Sequence, residues 1–409
     1  MKVTFIHLDL GIGGAERLVV DSGIALQNAG HSVEFITSHH DRSHCFPETK
    51  SQLPVTVVGD WLPRSIFGKF YVLCSILRML FISLYLVIVR RGSKRPDVIF
   101  LDQVSQCMPI LRWLGVPVLF YCHHPDCLLV QRRSALRDAY RKPIDWLEEY
   151  TTSLADIIVV NSRYTERVFR TTFRGLAHIP LEVIYPTVNF SLFDSPLEEN
   201  CLEQYPELRN PELTKFLSIN RYERKKKIHL ALEALKIALD SGRRGLHLVI
   251  AGGFDSGNKE NIEHYNELVG LATKLDIGNH VTFLKSPSDK EKQLLMHLCS
   301  AVVYTPENEH FGIVPIEAMY SKRPVIATNT GGPLETIEHN STGFLCEPTG
   351  EAFGRAMLEI ATSPRRTVEE MGSAGRKRVV TLFSFEAFQR GLCELLEKLV
   401  PERRGRERE

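Results

Sequence analysis

Short apolar runs alternate with longer segments along the whole chain, and this alternation limits the possible folds more than any other feature. In the first half, strands are expected at residues 3–7, 33–36, 98–101, 118–121, 157–160 and 181–184. In the second half, they are expected at residues 215–219, 246–251, 281–283, 301–304, 324–327 and 343–345. Strands that alternate with helical segments form parallel sheets covered by helices. The expected fold class is therefore α/β.

The chain is long enough for two such domains. Its 409 residues, of which 44% are hydrophobic, can bury two cores. The polar, proline-bearing stretch at residues 189–212 is the expected linker. We therefore expect an N-terminal domain at residues 1–200, a C-terminal domain at residues 201–385, and a final helix with a basic tail at residues 386–409.

Charge and cysteine content argue against some classes of protein. The net charge is only +1, which argues against a nucleic-acid binder or a general polyanion binder. The nine cysteines are odd in number and show no repeated spacing, which favours reduced thiols. We therefore expect a protein that faces the cytosol.

Two glutamates eight residues apart, Glu309 and Glu317, lie between two of the expected strands. The pattern at residues 313–319 predicts a helix, so Glu309 falls on a strand-to-helix loop and Glu317 on the helix. Ligands of open α/β sheets bind beyond the carboxyl ends of the strands, where helix N-termini offer N–H groups to anions. This arrangement predicts a nucleotide-sugar site. The alternative is a loop whose acids only cap the helix, because acidic residues are common in first helical turns.

A stretch with a basic run, residues 218–226, follows the apolar strand at residues 216–219 and precedes a helical pattern. Its Arg221 and Lys226 flank a strand-to-helix loop. A guanidinium binds two oxygens of a diphosphate at once, and an ammonium supplies a compact charge. A basic run on a loop is usually a solvated face. Combined with the two glutamates, this one predicts a diphosphate clamp within one α/β domain.

The two motifs resemble the R-x4-K and E-x7-E patterns of a large family of retaining GT-B glycosyltransferases. The resemblance spans nearly the whole chain. It implies two Rossmann-like domains facing a cleft, with the acceptor bound by the N-terminal domain and the nucleotide sugar by the C-terminal domain. It also implies that the final helix crosses back to the N-terminal domain.

The family resemblance also implies roles for the motif residues. Glu309 would bind the transferred sugar and stabilise the positive charge that develops on it. The residues expected to contact the diphosphate and nucleoside of the donor are Arg221, Lys226, Gly312, Ile313, Val314 and Glu317. No metal and no other cofactor is expected, because the basic side chains neutralise the leaving diphosphate.

Longer local matches, at residues 7–17, 59–64, 144–150 and 308–320, are similar to one branch of this family. That branch comprises mannosyltransferases that extend the dolichol-linked oligosaccharide on the cytosolic face of the endoplasmic reticulum. The similarity implies GDP-mannose as donor and addition of the second and third mannoses, in α1,3 and α1,6 linkage. It further implies the membrane and other mannosyltransferases of the same pathway as partners.

A glycine-rich turn, Gly11–Gly14, follows the first expected strand and has two interpretations. It is a partial match to the dinucleotide fingerprint G-x-G-x-x-G, which would favour an NAD-dependent oxidoreductase, but residue 16 is Glu. The family resemblance implies instead that Gly13 and Gly14 let the backbone approach the donor phosphates and the acceptor. Comparing GDP with NAD as ligands would separate these interpretations.

His123 directly follows an expected strand and precedes Pro125 by two residues. The neighbouring Cys122, His124, Asp126 and Cys127 are potential metal ligands, but adjacent side chains diverge along an extended chain. The family resemblance implies that the histidine of an H-x-P pattern lies beside the donor sugar. We therefore expect His123, with Glu309, to be a catalytic residue and not a metal ligand.

Residues 70–89 form an apolar stretch with one internal charge, Arg78, and basic residues on both sides. Its length permits a membrane span. A span would separate Gly14 and His123, which belong to one expected sheet, so we favour a helix lying in the membrane interface. A buried domain helix is the third interpretation. The side chains expected to face the membrane are Phe70, Leu77, Leu80, Phe81 and Leu84.

A non-catalytic relative that keeps the fold, such as a lectin-like or scaffold protein, is a further alternative. The presence of Arg221, Lys226, Glu309 and Glu317 argues against it. Fold alone does not fix the substrate.

Overall fold

The computed structural model describes residues 1–90, 92–129, 135–188 and 190–400. The chain forms two compact units: unit 1 is Met1–Thr187 with Phe385–Glu409, and unit 2 is Val188–Ser384. The boundary between the units therefore lies after Thr187, whereas the sequence suggested a boundary after residue 200. Arg91, Asn189 and the basic tail at residues 401–409, which entered the sequence-based expectations, lie outside the described residues.

Unit 1 is built on one parallel sheet. Its strands are β1 (Lys2–Asp9), β2 (Ser32–His39), β3 (Val55–Val57), β4 (Val98–Asp102), β5 (Val118–Cys122), β6 (Ile157–Val160) and β7 (Leu181–Val183). The seven strands lie in the order β3-β2-β1-β4-β5-β6-β7. The helices in this part of the chain are α1 (Gly14–Asn28), α2 (Glu48–Ser51), α3 (Tyr71–Val89), α4 (Met108–Leu111), α5 (Asp126–Leu129), α6 (Ala135–Thr152) and α7 (Arg163–Thr172).

Helices cover both faces of this sheet, which is why its central strands are mostly apolar and buried. Every residue of β4 and β5 is buried, as expected for parallel strands packed on both sides. On the face covered by α1, Phe5 stacks on Phe35 and Phe100 with ring centroids 4.7 and 4.6 Å away. The other face packs against α3, α4 and α7. All six strands expected in this half exist, and β3, a three-residue strand at one edge of the sheet, was not predicted.

Helix α3 is half buried in unit 1. Its inner face, including Met79, Ile82 and Leu86, joins the core beneath the sheet. Arg78 is only 2% exposed and binds Asp9 at the end of β1 through two nitrogens, at 2.6 and 3.1 Å. One side of α3 is thus committed to the protein core, and the internal charge is already paired there.

The outer face of α3 is apolar and exposed, but it does not include all the side chains expected to face a membrane. Phe70, Leu77 and Leu84 are exposed. Leu80 and Phe81 are partly buried and pack against the core beneath the sheet. Phe81 packs edge-on against Trp61, with ring centroids 5.6 Å apart. Among the described residues, α3 is the one helix long and apolar enough to cross a membrane, which is weak evidence of a span.

Unit 2 is built on a second parallel sheet. Its strands are β8 (Thr214–Ile219), β9 (Leu246–Gly252), β10 (Val281–Lys285), β11 (Ala301–Tyr304), β12 (Val325–Thr328) and β13 (Gly343–Cys346). The six strands lie in the order β10-β9-β8-β11-β12-β13. The helices are α8 (Ser191–Asp194), α9 (His229–Asp240), α10 (Lys259–Lys274), α11 (Asp289–Leu298), α12 (Ile313–Tyr320), α13 (Pro333–Thr336), α14 (Gly350–Thr362) and α15 (Arg365–Leu382). All six strands expected in this half are confirmed.

The polar stretch expected to be a linker is not a free connection. Phe190 stacks on Tyr320 at a centroid distance of 3.8 Å, and the Tyr320 hydroxyl donates to Asp194 at 2.6 Å. Leu202 and Leu208 are buried. These contacts place residues 190–212 in unit 2, because the few apolar side chains of the stretch find partners there.

The last helix, α16 (Phe385–Leu399), returns to unit 1. Phe388, Leu392, Leu395 and Leu396 lie in the same core cluster as α1. The predicted return of the chain to the first unit is therefore confirmed.

Candidate active site

The strand order of unit 2 changes direction between β8 and β11, which are neighbours in the sheet. The chain leaves β8 toward β9 on one side and leaves β11 toward β12 on the other. Such a point opens a crevice at the carboxyl ends of the strands, where ligands of α/β proteins bind. The loops that follow β8 and β11 carry Lys226 and Glu309, respectively.

Lys226 and Glu309 form an ion pair at this point. The Lys226 Nζ atom lies 2.5 Å from Oε1 of Glu309. The Thr305 hydroxyl donates to the carbonyl oxygen of Lys226 at 2.7 Å, so the two loops are also joined through the backbone. Both charged side chains remain partly accessible. The structure thus brings together a cation expected to bind diphosphate and a carboxylate expected to bind sugar.

The loop that carries Glu309 is held by the loop after β12. The Gly332 N–H donates to the Glu309 carbonyl at 2.7 Å, and the Asn308 N–H donates to the Thr330 hydroxyl at 3.2 Å. A Cβ atom on Gly331, whose φ is +65°, would lie 2.5 Å from the Glu309 carbonyl oxygen. Only glycine permits this approach. The sequence-based reasoning missed this glycine pair, although adjacent glycines after an apolar strand were a visible signal.

Helix α12 begins directly after Gly312, which has a φ of +86°. This left-handed turn directs the chain from the loop into the helix, whose first residues are Ile313 and Val314. The N–H groups at the start of a helix have no partners within the helix and favour anions. Gly312, Ile313 and Val314, which are expected to contact the donor, are therefore located at a helix N-terminus.

Glu317 lies within α12 and is 7% exposed. Its Oε1 atom accepts a hydrogen bond from Lys292 of α11 at 2.6 Å, whereas its buried Oε2 atom has no partner among the described residues. Burial raises the pKa of Glu317, and the Lys292 ammonium opposes that rise. A buried carboxylate oxygen without a partner can accept a hydrogen bond from a ligand hydroxyl. Sequence-based reasoning missed Lys292, which lies outside both motifs.

Arg221 lies just after β8 and is well exposed, with its guanidinium 3.1 Å from Glu223. The loop is anchored by Tyr222, whose buried hydroxyl lies within hydrogen-bond distance of the Ile250 and Leu284 carbonyls, at 3.1 and 2.8 Å. Arg221 has no described contact with Lys226 or Glu309. The structure therefore places it on the same loop as Lys226 without bringing the two charges together.

At the carboxyl edge of the unit 1 sheet, three charged or polar residues from adjacent strands form a chain of contacts. His123 follows β5, Asp102 ends β4, and His7 lies near the end of β1. The Asp102 carboxylate lies 3.0 Å from Nε2 of His123 and 2.8 Å from Nδ1 of His7. Sequence-based reasoning selected His123 but neither of its partners. A signal was present, since each residue ends or follows an apolar strand.

The glycine turn before α1 is crowded by an acid. A Cβ atom on Gly13 would lie 2.2 Å from the Glu16 carboxylate, whereas a Cβ atom on Gly14 would meet nothing within 4 Å. The Glu16 carboxylate also lies 3.8 Å from Nε2 of His7. The turn expected to approach the donor phosphates and the acceptor therefore lies beside a contact between an acid and a histidine.

His123 lines a cavity of about 320 Å³ within unit 1. The first half of α3 contributes Tyr71, Val72 and Ile76 to its wall, and Gln103 lies on the side of β4. The cavity therefore connects the most apolar helix of the unit with the histidine expected to lie beside a sugar.

The loop after His123 is held in place by Glu148 of α6. Its carboxylate accepts hydrogen bonds from the backbone N–H groups of Asp126 and Cys127, at 2.7 and 3.2 Å. Burial and the nearby Asp126 charge raise the pKa of Glu148 to about 7. Within the described part of the chain, no group of three or more His, Cys, Asp or Glu side chains is arranged to hold a metal ion.

Comparisons with known proteins agree with this geometry. Residues 203–378 match the family model for glycosyl transferases group 1, and residues 12–192 match that for Glycosyltransferase Family 4. The human alpha-1,3/1,6-mannosyltransferase ALG2 is 48% identical over 98% of this chain and 96% of its own length. The chain belongs to the ALG2 family of alpha-1,3/1,6-mannosyltransferases. The ALG2 of Dictyostelium discoideum is 41% identical over 98% of both chains.

Membership of the ALG2 family makes this protein a glycosyltransferase, so the dinucleotide-dependent oxidoreductase interpretation of the glycine turn is wrong. A glycosyltransferase structure from Rickettsia africae superposes with a TM-score of 0.73 at 19% identity, covering 98% of this chain and 99% of that one. At this identity the likeness concerns the fold alone. The two parallel-sheet units have the GT-B fold of such enzymes.

Proposed function

We propose that this protein transfers mannose from GDP-mannose to a dolichol-diphosphate-linked oligosaccharide, with retention of configuration. It adds the second and third mannoses of the N-glycan precursor, in α1,3 and α1,6 linkage. The linkages are those in the names of the ALG2 relatives, and membership of their family supports the choice of donor and acceptor. The Lys226–Glu309 ion pair supports placing this reaction in unit 2. The pair lies between β8 and β11, where the strand order changes direction.

When the donor binds, Lys226 exchanges Glu309 for the diphosphate as its partner. A diphosphate attracts the Lys226 ammonium more strongly than one carboxylate does, because it carries more negative charge. Glu309 is then free to accept hydrogen bonds from the mannose hydroxyls and to stabilise positive charge at the anomeric carbon. The Oε2 atom of Glu317, which has no partner among the described residues, accepts a hydrogen bond from the ribose.

The chemical step needs neutralisation of the departing diphosphate. Arg221, Lys226 and the N–H groups at the start of α12 supply it, so catalysis consists of positioning and electrostatic stabilisation. The bond from the anomeric carbon to the diphosphate breaks, and the acceptor hydroxyl attacks from the same face. Its proton passes to the departing phosphate oxygen. We propose that no metal and no further cofactor takes part.

The acceptor reaches the enzyme from a membrane surface. The exposed face of α3 carries Leu77 and Leu84, and the preceding loop exposes Trp61 and Phe67. Apolar and aromatic side chains of this kind bury in the headgroup region of a bilayer. The cavity that α3 shares with His123 brings the sugar head to the edge of unit 1 while the polyprenyl tail stays in the lipid. This supports a position on the cytosolic face of the endoplasmic reticulum, beside other mannosyltransferases of the pathway.

A donor screen tests the proposal. Purified protein is incubated in liposomes with dolichol-diphosphate-linked chitobiose carrying one mannose, and with GDP-mannose, UDP-glucose or UDP-N-acetylglucosamine. Products are separated and digested with linkage-specific mannosidases. We expect two additional α-linked mannoses with GDP-mannose only. Transfer from a UDP-sugar, or no transfer from any donor by folded protein, would contradict the proposal.

A further inference from the structure

We propose that Asp102 and His7 are positioning residues that hold the imidazole of His123 in a single tautomer, protonated on Nε2. The proposal rests on the function proposed above, because it gives His123 a place beside the reacting sugar. It adds to the reaction two residues that lie outside the R-x4-K, E-x7-E and H-x-P motifs. Its basis is the contact chain His123–Asp102–His7 at the carboxyl edge of the unit 1 sheet.

His7 anchors the chain as an imidazolium. Its Nδ1 atom lies 2.8 and 2.9 Å from the two Asp102 oxygens, and its Nε2 atom lies 3.1 Å from the Asp9 carbonyl oxygen. Both partners accept hydrogen bonds, and a neutral imidazole can donate only one. Burial alone would lower the pKa of His7, but the charges of Asp102 and Glu16 outweigh it and raise the pKa to about 10.

Asp102 is consequently an ionised carboxylate. It is fully buried, which would raise its pKa, but the His7 charge and hydrogen bonds from both histidines lower the pKa below its ordinary value. An ionised carboxylate accepts hydrogen bonds and donates none. The Nε2 atom of His123, 3.0 Å from Oδ2, must therefore carry a proton.

This arrangement leaves the other ring nitrogen of His123 for a ligand. Its Nδ1 atom has no hydrogen-bond partner among the described residues, and the ring lines the 320 Å³ cavity. In the neutral ring, Nδ1 carries a lone pair and accepts a hydrogen bond from a sugar hydroxyl. The positive charge of His7 compensates the negative charge of Asp102. Asp102 therefore fixes the tautomer of His123 without placing an unbalanced negative charge near the sugar.

The backbone beside this chain of contacts has an unusual conformation and a side-chain anchor. Gln103, which follows Asp102, has a φ of +61°, a conformation that non-glycine residues rarely adopt. Strain of this kind is concentrated at functional sites. The Asn161 side chain donates to the His123 carbonyl oxygen at 3.2 Å. The imidazole therefore has both its tautomer and its position fixed.

The test combines a spectroscopic measurement on the unaltered protein with kinetics of variants. Long-range ¹H–¹⁵N spectra report which nitrogen of each histidine is protonated, and His123→Ala identifies the His123 signals. We expect the Nε2-protonated form at pH 7.5. A signal from the Nδ1-protonated tautomer would overturn the proposal, whether or not any variant folds.

The kinetic arm compares Asp102→Asn with Asp102→Glu, using Asp156→Asn as a matched control. Asp156 belongs to the same unit, where its carboxylate binds Arg112 and the Val118 N–H. We expect Asp102→Asn to lower kcat about a hundredfold with an unchanged KM for GDP-mannose, and Asp102→Glu to recover part of the rate. Equal kcat values for Asp102→Asn and Asp156→Asn would overturn the proposal. Absence of mannosyl transfer by the unaltered protein would refute the proposed function, while the tautomer measurement would still decide this inference.

Discussion

The carboxyl edges of the two sheets both carry charged residues, but these residues differ in how accessible they are to solvent. In unit 1, His7 and Asp102 are fully buried and satisfy each other. In unit 2, Lys226 and Glu309 are partly accessible and are joined by a single contact between their side chains. The same topological position thus holds a fixed network in one unit and an exchangeable pair in the other.

The physical reason is the cost of removing charge from water. Breaking a fully buried ion pair strongly destabilises the fold, because no solvent replaces the missing partner of the remaining charge. A partly exposed pair loses little when one partner changes, because water or a ligand takes its place. We infer that the unit 1 edge holds groups in position, whereas the unit 2 edge exchanges partners with the donor.

His7→Gln tests the fixed network and has the largest expected effect. It removes the positive partner of a buried carboxylate, so the free energy of unfolding should fall by about 3–5 kcal/mol at pH 6.5. The folded-state pKa of His7 is raised from 6.5 to about 10. The stability it contributes is therefore complete below pH 6.5 and is lost as the pH rises through 10. Calorimetry should show the difference in Tm between the two proteins narrowing over that window.

The control for this prediction is His247→Gln in unit 2. His247 is also buried, but burial lowers its pKa and its ring contacts the Thr282 hydroxyl at 2.8 Å. Its Tm difference from the unaltered protein should not narrow between pH 6.5 and 10. A constant difference for His7→Gln over the same window would show that His7 is not an imidazolium in the folded protein.

Glu309→Gln tests the exchangeable pair. The amide keeps the size of the side chain but cannot stabilise positive charge on the sugar, so kcat should fall by about 10²–10³-fold. GDP affinity should stay the same or increase, because Lys226 loses its internal competitor. Glu307→Gln is the matched control, since Glu307 pairs with Lys227 on the same two loops. Parallel losses of kcat and GDP affinity in Glu309→Gln would refute the assignment to the sugar.

Arg221→Ala and Lys226→Ala test the diphosphate clamp. Each removes a charge-assisted contact worth about 1.5–3 kcal/mol, so the Kd for GDP should rise by about 10- to 150-fold. Lys227→Ala is the control on the same loop and should bind GDP as the unaltered protein does. Unchanged affinity in both test variants would show that the basic run is only a solvated face.

Leu77→Ser combined with Leu84→Ser tests the exposed face of α3. Each substitution should weaken binding to liposomes by about 1 kcal/mol, because an apolar side chain no longer enters the lipid. The control replaces Val380 and Leu382, two exposed side chains of unit 2, with Ser. Equal liposome binding by both double variants would show that α3 does not face the membrane. Protease cleavage on opposite sides of a sealed vesicle, before residue 70 and after residue 91, would instead support a span.

Local patterns in the sequence predicted most of the fold. Strands such as Ala301–Tyr304 were predicted at their observed bounds because parallel strands buried on both faces are apolar throughout. The edge strand Val55–Val57 was missed, although Leu181–Val183, an equally short strand at the other edge, was predicted. The boundary between units was predicted too late because the polar stretch after residue 188 hides a few apolar contacts, such as that of Phe190 with Tyr320.

The site was predictable where it depends on residues close together in sequence. Glu309, Gly312 and Glu317 lie on one loop and helix, so their spacing was informative. The contacts of Asp102 with His7 and His123 were not predictable, because they depend on β4 lying between β1 and β5. Lys292 was missed for a similar reason, since only the packing of α11 brings it to Glu317. Contacts of this kind are set by strand order and helix packing, which a single sequence does not reveal.

Calorimetric titration of GDP into Lys226→Ala and Asp102→Asn tests the contrast between the two edges most directly. If unit 2 exchanges partners with the donor and unit 1 only positions His123, the Kd should rise about 10- to 150-fold in the first variant. It should remain within about twofold of the unaltered protein in the second. A comparable loss of GDP affinity in Asp102→Asn, with the protein still folded, would contradict this division of roles.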